Sequence, residues 1–455
     1  ALRTILRDNQ AAKPSEDDMH AGITYFHPAT QKRVLVNLPR EEVAKFLEKD
    51  LGTTMLNYIA RSVRRAEYTR RFDNSGEKIE ALIGEARKLG LSAEQEKSVR
   101  MAVQAMEGSL SPEMSRDLKA VWGGLMTYQN IRLLPLALFS NIVDPLGILV
   151  RGGELKDVFD TYKRGLQSLY KAAKAGDDGY DMAAAIGAIS AAHDYGMMSE
   201  MYGMQFVKPW QRKANDFFFK YNGMEGWNQA NRIGATMAAE KFIIRHATKP
   251  TEHSERYLRE LGLTAAQVKQ SMSGGHLNTA DQKITQALNT WVDSAIIRPN
   301  AAIRPVWMSD PMWMLVSHLK QFTYAFQKVI IARVAHEAAN GNMQPLGVLL
   351  SFVPMMIASD MLKVFLTPQG DDDKFRANWG AADWIWSGLQ RAGIFGPAQW
   401  IIDPFKPGYS AASLAGPTVQ QLSELAGAIG GDGTVATQVG KAGFWFQVFG
   451  NMGKE

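Results

Sequence analysis

The residue types that most often carry catalysis or bind metals are scattered along this chain of 455 residues. Two histidines precede an acid, as His193-Asp194 and His336-Glu337, but successive side chains on a helix point about 100° apart. No two histidines have the HExxH spacing that places two zinc ligands on one helical face. We therefore predict no metal site. The histidines lie at positions 20, 27, 193, 246, 253, 276, 318 and 336.

Phosphate-binding and nucleophile motifs are incomplete. Gly440-Lys441 resembles the end of a phosphate loop, but Val435 replaces the upstream glycine and Ala442 the hydroxyl that would bind magnesium. The glycine-rich stretch 427–433 follows no predicted strand, and there is neither a G-x-S-x-G motif nor a cysteine. We predict no catalytic residue and no cofactor. An enzyme whose site residues are far apart in sequence stays open as an alternative.

One basic cluster has the spacing of a helical face. Arg61, Arg64 and Arg65 fall on the same side of a predicted helix, where they can contact phosphates of a nucleic acid. Glu67 and Asp73 lie nearby, so a solvated surface helix is the alternative. The net charge of +5 is too small over this length to predict nucleic-acid binding by itself.

The elements that would position such residues are predicted to be almost all helical. The exception is 23–39, where two β-rich runs flank a polar turn and predict a small N-terminal hairpin. Further on, 89–95 and 261–267 share the order Leu-Gly-Leu, hydroxyl, Ala, any residue, Gln. In this order the glycine ends one helix, and the hydroxyl and glutamine cap the next one. The predicted fold is mainly α, a multi-helix elongated assembly.

Two segments are apolar or rich in small residues. Leu133–Val150 is long enough to approach a membrane span, but Pro135, Asp144 and Pro145 interrupt it. We predict a buried or interfacial position for this run. Ala183–Met198 is rich in small residues, which allow two helices to approach closely.

The sequence predicts that the chain is organised around 307–366. Asp310-Pro311 predicts a helix start, and apolar residues then recur every three or four positions until Asn340-Gly341 ends the helix. A second run, Met343–Ser359, has no charge, although Asp360 and Lys363 follow it and Pro354 lies near its middle. Both helices are apolar on more than one side, which predicts a homo-oligomer or contact with lipid. The predicted contact residues here and in the aromatic tail are Trp313, Leu319, Phe322, Phe326, Leu350, Phe352, Ile357, Phe365, Trp384 and Trp386.

These observations divide the chain into five regions. They are an arm with a hairpin (1–40), a helical hairpin region (41–130), a central helical domain (131–300), the amphipathic and apolar helix pair (301–367), and an aromatic tail rich in Gly and Pro (368–455). Methionine (22) and tryptophan (11) are frequent, and cysteine is absent. Such a composition suits surfaces that repack or meet a bilayer, and a helical core that is rich in methionine is the alternative.

One string of residues carries a family resemblance. Trp307, Ser309-Asp310-Pro311, Leu319-Lys320, Phe322 and Tyr324-Ala325-Phe326, followed by the apolar helix with its proline, resemble the C-terminal regions of very large polyvalent proteins of tailed bacteriophages. The patch Leu138-Phe139-Ser140-Asn141 to Asp144-Pro145 is similar to an upstream element of those proteins.

The resemblance implies an internal virion protein of a short-tailed phage. Such proteins are stored in the capsid and expelled into the host envelope, where they assemble a conduit through the periplasm and inner membrane. The implied partners are further copies of the chain, other ejection, portal or tail proteins, the phage DNA and the host inner membrane. The competing readings are a helical hydrolase, which would include one acting on the cell wall, and a membrane-peripheral scaffold.

Overall fold

The computed structural model describes residues 77–107, 116–134, 137–171, 176–189, 209–298, 303–309, 320–366 and 379–394, with a few single positions beside them. The described chain is mainly helical, as predicted. The predicted hairpin at 23–39, the arginines at 61, 64 and 65 and most of the aromatic tail lie outside these residues.

The first elements are helices of moderate length. They are α1 (Glu77–Lys88), α2 (Ala93–Glu107), α3 (Arg116–Leu133), α4 (Ala137–Ser140), a 3-10 segment (Asn141–Leu146), α5 (Gly147–Val150), α6 (Leu155–Ser168), α7 (Asp178–Ala185) and α8 (Pro209–Tyr221). The interrupted run at 133–150 is thus split into three short pieces, and Val143, Leu146, Ile148 and Val150 are buried. Its predicted burial is confirmed.

The second half begins with the longest helix. The elements are α9 (Met224–Thr248), α10 (Ser254–Glu260), α11 (Ala265–Ser271), β1 (Met272–Ser273), β2 (His276–Leu277), α12 (Gln282–Ala295), a 3-10 turn (Val306–Ser309), α13 (Gln321–Phe326), a π turn (Gln327–Ile331), α14 (Ala332–Ala339), α15 (Gln344–Leu366) and α16 (Ala381–Arg391). The sequence did not predict the hairpin β1–β2. Its turn needs two left-handed residues, and Gly274 and Gly275 supply them with φ of 60° and 87°.

The core is built around α9 and not around 307–366 as the sequence predicted. Helix α6 packs on α9 most closely, because Gly165 faces the ring of Trp227 and Gly234 faces Thr161. A methyl group at Gly234 would lie 2.1 Å from the Thr161 hydroxyl oxygen, so only glycine allows this approach. Helices α7, α11 and α12 cover the other sides of α9.

Polar residues of α9 also connect it to its neighbours. Arg232 donates to the carbonyl of Ala188 (2.6 Å) and pairs with Asp293 on α12 (2.6 Å). Glu240 accepts a hydrogen bond from the backbone amide of Leu277 on β2 (2.9 Å). Charged side chains inside a helical core are stable when they are paired in this way.

Both predicted connectors have the expected geometry. Gly90 and Gly262 have φ of 97° and 74°, the left-handed stop of the preceding helix. At 264–267 the Thr264 hydroxyl accepts from the Gln267 amide (3.3 Å), and the Gln267 side chain accepts from the Thr264 amide (3.0 Å). Ser92 and Gln95 form the same reciprocal pair. The predicted capping boxes are confirmed.

The predicted helix 311–339 differs from a regular α-helix where it is described. From 321 to 339 the chain is helical throughout, but a π turn at Gln327–Ile331 interrupts the α-helical hydrogen bonds and changes which residues share a face. The predicted stop is confirmed, since Gly341 has φ of 81°. Helix α15 then begins within three residues and packs on α14.

Candidate interface on helix α15

Helix α15 has one exposed apolar stripe along most of its length. Leu350 is 58% exposed, Met361 48% and Leu362 40%, and Met343 just before the helix is 57% exposed. These positions recur at helical spacing and lie on one side. The exposed members of the stripe are Met343, Gly347, Leu350, Ser351, Pro354, Ala358, Met361 and Leu362, and none of them is charged.

The opposite face of α15 is built into the protein. Leu349, Phe352 and Met356 belong to the core. Ser359 donates a hydrogen bond to the carbonyl of Phe139 on α4 (2.5 Å), and Asp360 is 2% exposed. The one acidic residue of the helix is therefore turned away from the exposed stripe.

Helix α16 packs along α15 and adds to its apolar surroundings. A side chain at Gly388 would collide with Ile357 and with the carbonyl of Val353, so this glycine sets the close contact. Ile385 and Trp386 on α16 remain exposed at 52% and 42%.

A charged cluster fixes the junction between α14 and α15 to α10. Glu337 is fully buried and accepts two parallel hydrogen bonds from Arg256 (3.0 and 2.9 Å). It also accepts from Arg333 (2.6 Å), the Tyr257 hydroxyl (3.1 Å) and Asn342 (3.0 Å). Burial alone would raise the pKa of Glu337, but the hydrogen bonds from Arg256 and Asn342 and the charge of Arg333 lower it to about 2. Glu337 is therefore ionised at neutral pH.

The predicted contact residues fall into three groups. Trp313, Phe322, Leu350 and Trp386 are exposed. Ile357 and Trp384 are half-buried, and Ile357 packs towards α16. Phe326 and Phe352 are buried against each other with ring centroids 6.0 Å apart, so these two pack the core and are not at the surface.

The structure does not describe the other predicted contact residues. The side chains of Leu319 and Phe365, and the arginines Arg61, Arg64 and Arg65, are outside the described residues. Sequence reasoning also missed the Glu337 cluster. Only the adjacent His336-Glu337 pair was visible, because the partners of Glu337 on α10 lie about 80 residues earlier.

Each of the four described histidines has a neighbouring polar or aromatic side chain. His246 is hydrogen-bonded to Ser254 (2.8 Å), His276 lies 3.4 Å from Glu240, and His336 lies 3.3 Å from Glu260. The ring of His253 has its centroid 6.0 Å from that of Tyr257. Within the described residues, no three His, Asp or Glu side chains converge as metal ligands. The exposed stripe of α15 is the candidate site that we consider further.

By length and composition, one described helix can cross a membrane, over Gln344–Leu362, and 33% of this span is buried. Core helices of soluble proteins can have the same length and composition.

Comparisons with protein-family models, curated proteins and solved structures found no match for this chain. The resemblance to phage proteins thus remains a prediction.

Proposed function

We propose that this chain is a structural protein of a short-tailed bacteriophage. It is stored in the virion, expelled into the host envelope, and assembled there as a homo-oligomer into part of the conduit for the genome. The exposed uncharged stripe of α15 supports this proposal most strongly. The resemblance of 307–366 to phage proteins supplies the biological setting.

The proposal assigns the stripe two successive environments. In the stored form it is covered by another copy of the chain, and after ejection it contacts the lipid of the inner membrane. The length of α15, 23 residues or about 35 Å, is sufficient for a hydrocarbon core of ~30 Å. Asp360 faces the protein side of the helix, so the lipid-facing side carries none of the described charges.

The junction before α15 is short and held by ion pairs. The turn at 340–343 contains the left-handed Gly341, and the ion pairs of Glu337 hold it against α10. The absence of cysteine from the whole sequence also suits passage between compartments, because wrong disulfides cannot form.

Dye release from vesicles tests the proposal. We expect the purified protein to release dye, and we expect Leu350→Asp to release far less. A charge near the middle of a bilayer costs ~2.5–3.5 kcal/mol, or roughly a hundredfold in partitioning. Ile357→Asp is less informative, since Ile357 packs towards α16 and its substitution would disturb the fold.

Leu166→Asp is the matched control. Leu166 on α6 is 58% exposed, the same fraction as Leu350, but lies on a helix outside the stripe. We expect this variant to release dye as the wild type does. Absence of release by the wild type, or equal loss in both variants, would refute membrane insertion through α15.

A further inference from the structure

Helices α3 and α8 pack on each other through hydrogen-bonded polar side chains. Asn215 on α8 accepts a hydrogen bond from the side-chain amide of Asn130 (3.1 Å) and donates one to the Thr127 hydroxyl (2.8 Å), both on α3. Gln211, one turn before Asn215, donates to the backbone carbonyl of Ala120 (2.7 Å). These four polar side chains are at most 3% exposed, so they lie inside the contact between the two helices.

The outer side of the same helix pair is apolar and aromatic. On α8, Trp210, Phe217 and Tyr221 are exposed, and their spacings of seven and four residues place them on one side of the helix. The rings of Phe217 and Tyr221 have centroids 4.3 Å apart. On α3, Val121 and Tyr128 are exposed and lie seven residues apart, so they also share one side.

Trp210 connects these two exposed stripes. A methyl group added at Gly124 of α3 would lie 3.9 Å from the Trp210 ring, so the ring reaches α3 beside its own stripe. We call the combined surface the α3–α8 face. Its members are Val121, Tyr128, Trp210, Phe217 and Tyr221.

Polar side chains inside a helix contact and apolar ones outside are the reverse of what helices surrounded by water show. Helices surrounded by lipid associate through small residues and through Asn, Gln and Thr side chains that hydrogen-bond across the contact. The α3–α8 pair has both features, and residues 120–131 of α3 contain no charge. Because these polar groups bond to each other, the outer face can leave water without stranding them.

The charges of α8 favour an anionic partner for this face. The sequence of α8 contains Arg212, Lys213 and Lys220 against one acid, Asp216, and Lys220 is exposed directly before Tyr221. Pairs of identical chains are usually two-fold symmetric, so a contact between two copies would bring the cations of one α8 towards those of the other. An anionic lipid surface attracts the same cations.

We propose that the α3–α8 face binds the surface of an anionic bilayer, with its rings at the boundary between headgroups and acyl chains. Tryptophan and tyrosine prefer this boundary because each combines an apolar ring with a polar tip. Helix α8 has 13 residues, or about 20 Å, which is too short to cross a hydrocarbon core of ~30 Å, so it lies along the surface. The inference rests on the α3–α8 pair and does not depend on insertion of α15.

Flotation of the full chain with phosphatidylglycerol vesicles, compared with phosphatidylcholine vesicles, tests the face. All proteins carry Leu350→Asp, which removes the contact proposed for α15. We expect this background protein to prefer phosphatidylglycerol and to bind less as the ionic strength rises. Phe217→Glu should weaken binding at least ~10-fold, because the ring, 46% exposed, no longer leaves water and a negative charge is added.

The matched control is Phe159→Glu. Phe159 on α6 is 65% exposed and lies outside the α3–α8 face, so this variant should bind as the background protein does. Lys220→Glu leaves the rings in place and reverses one charge, and we expect roughly fivefold weaker binding to phosphatidylglycerol or more. Circular dichroism checks the fold of each variant, and Lys220→Glu decides the test if Phe217→Glu does not fold.

Three results would overturn the inference. The first is a background protein that binds neither kind of vesicle, and the second is equal binding by the background protein, Phe217→Glu and Lys220→Glu. The third is a change of oligomeric state on Phe217→Glu, measured by sedimentation, with vesicle binding unchanged. That result would assign the α3–α8 face to a contact between copies of the chain.

Discussion

Helices α9 and α15 are the two longest in the described chain. They differ in the polarity of their sequences and in how far their side chains are buried. Helix α9 carries Arg232, Glu240 and His246, yet these three are buried and partnered. Helix α15 is far more apolar, yet Leu350, Met361 and Leu362 remain in contact with solvent. Burial of apolar area is the main driving force of folding, so the more apolar helix would be expected inside.

The difference shows where the described helices leave apolar surface uncovered. Neighbouring helices and β2 surround α9. They make close contacts with it at Gly165 and Gly234 and hydrogen bonds with its Arg232 and Glu240. On α15 the apolar surface exceeds what the described helices cover. This uncovered surface is the basis of our proposal that α15 contacts protein or membrane.

The largest effect is expected from comparing the two faces of α15. Phe352→Ala removes a core ring that packs on Phe326, and we expect a loss of ~3–5 kcal/mol in the free energy of unfolding. Leu350→Ala, two residues earlier on the exposed face, should change it by no more than ~0.5 kcal/mol. Urea denaturation of both variants measures this. Equal losses would show that the stripe is already buried within one chain.

The stability of the junction between α14 and α15 should depend on the carboxylate of Glu337. Glu337→Gln leaves Arg256 and Arg333 without their buried partner, and we expect a loss of ~3–5 kcal/mol at pH 7. The pKa of Glu337 is lowered from 4.5 to about 2, so its contribution is present above pH 4.5 and lost as the pH falls towards 2. Unfolding followed from pH 7 to 2 should show a smaller acid-induced loss in the variant than in the wild type. Parallel curves would contradict this role.

Glycine-to-alanine substitutions in α9 and α15 test the comparison through smaller changes in the free energy of unfolding. Gly234→Ala should destabilise α9 by ~1–3 kcal/mol or more, because the new methyl group collides with Thr161. Gly347→Ala on the α15 stripe has no atom within 4 Å and should stabilise the helix by ~0.5–1 kcal/mol. Thermal unfolding of the two variants reports both signs. Destabilisation by Gly347→Ala would mean that the stripe is tightly covered.

Local features of the fold could be predicted from the sequence. The connectors at 89–95 and 261–267, the stop at Gly341 and the burial of the interrupted run at 133–150 depend on residues close together in sequence. The central role of α9 could not be predicted, because Arg232 and Glu240 find their partners far away on α12 and β2. The π turn at Gln327–Ile331 and the Glu337 cluster likewise depend on tertiary contacts.

The candidate site could be predicted only in part, because tertiary contacts decide which face of α15 is buried. The apolar character of α15 is visible in its composition, so the helix itself was identified. Its faces were not resolved, because an all-apolar run has no polar side to mark the solvent. Phe352 and Leu350 were therefore predicted alike, although one is buried and the other exposed.

The most direct test of the central claim uses the absence of cysteine, which makes a single introduced label unique. Leu350→Cys places an environment-sensitive dye on the stripe, and Glu255→Cys places the same dye on the exposed surface of α10. On addition of vesicles that carry a lipid-bound quencher, we expect quenching at position 350 and none at position 255. A dye at 350 that remains in water at every protein and vesicle concentration would contradict the assignment of α15 as a contact helix.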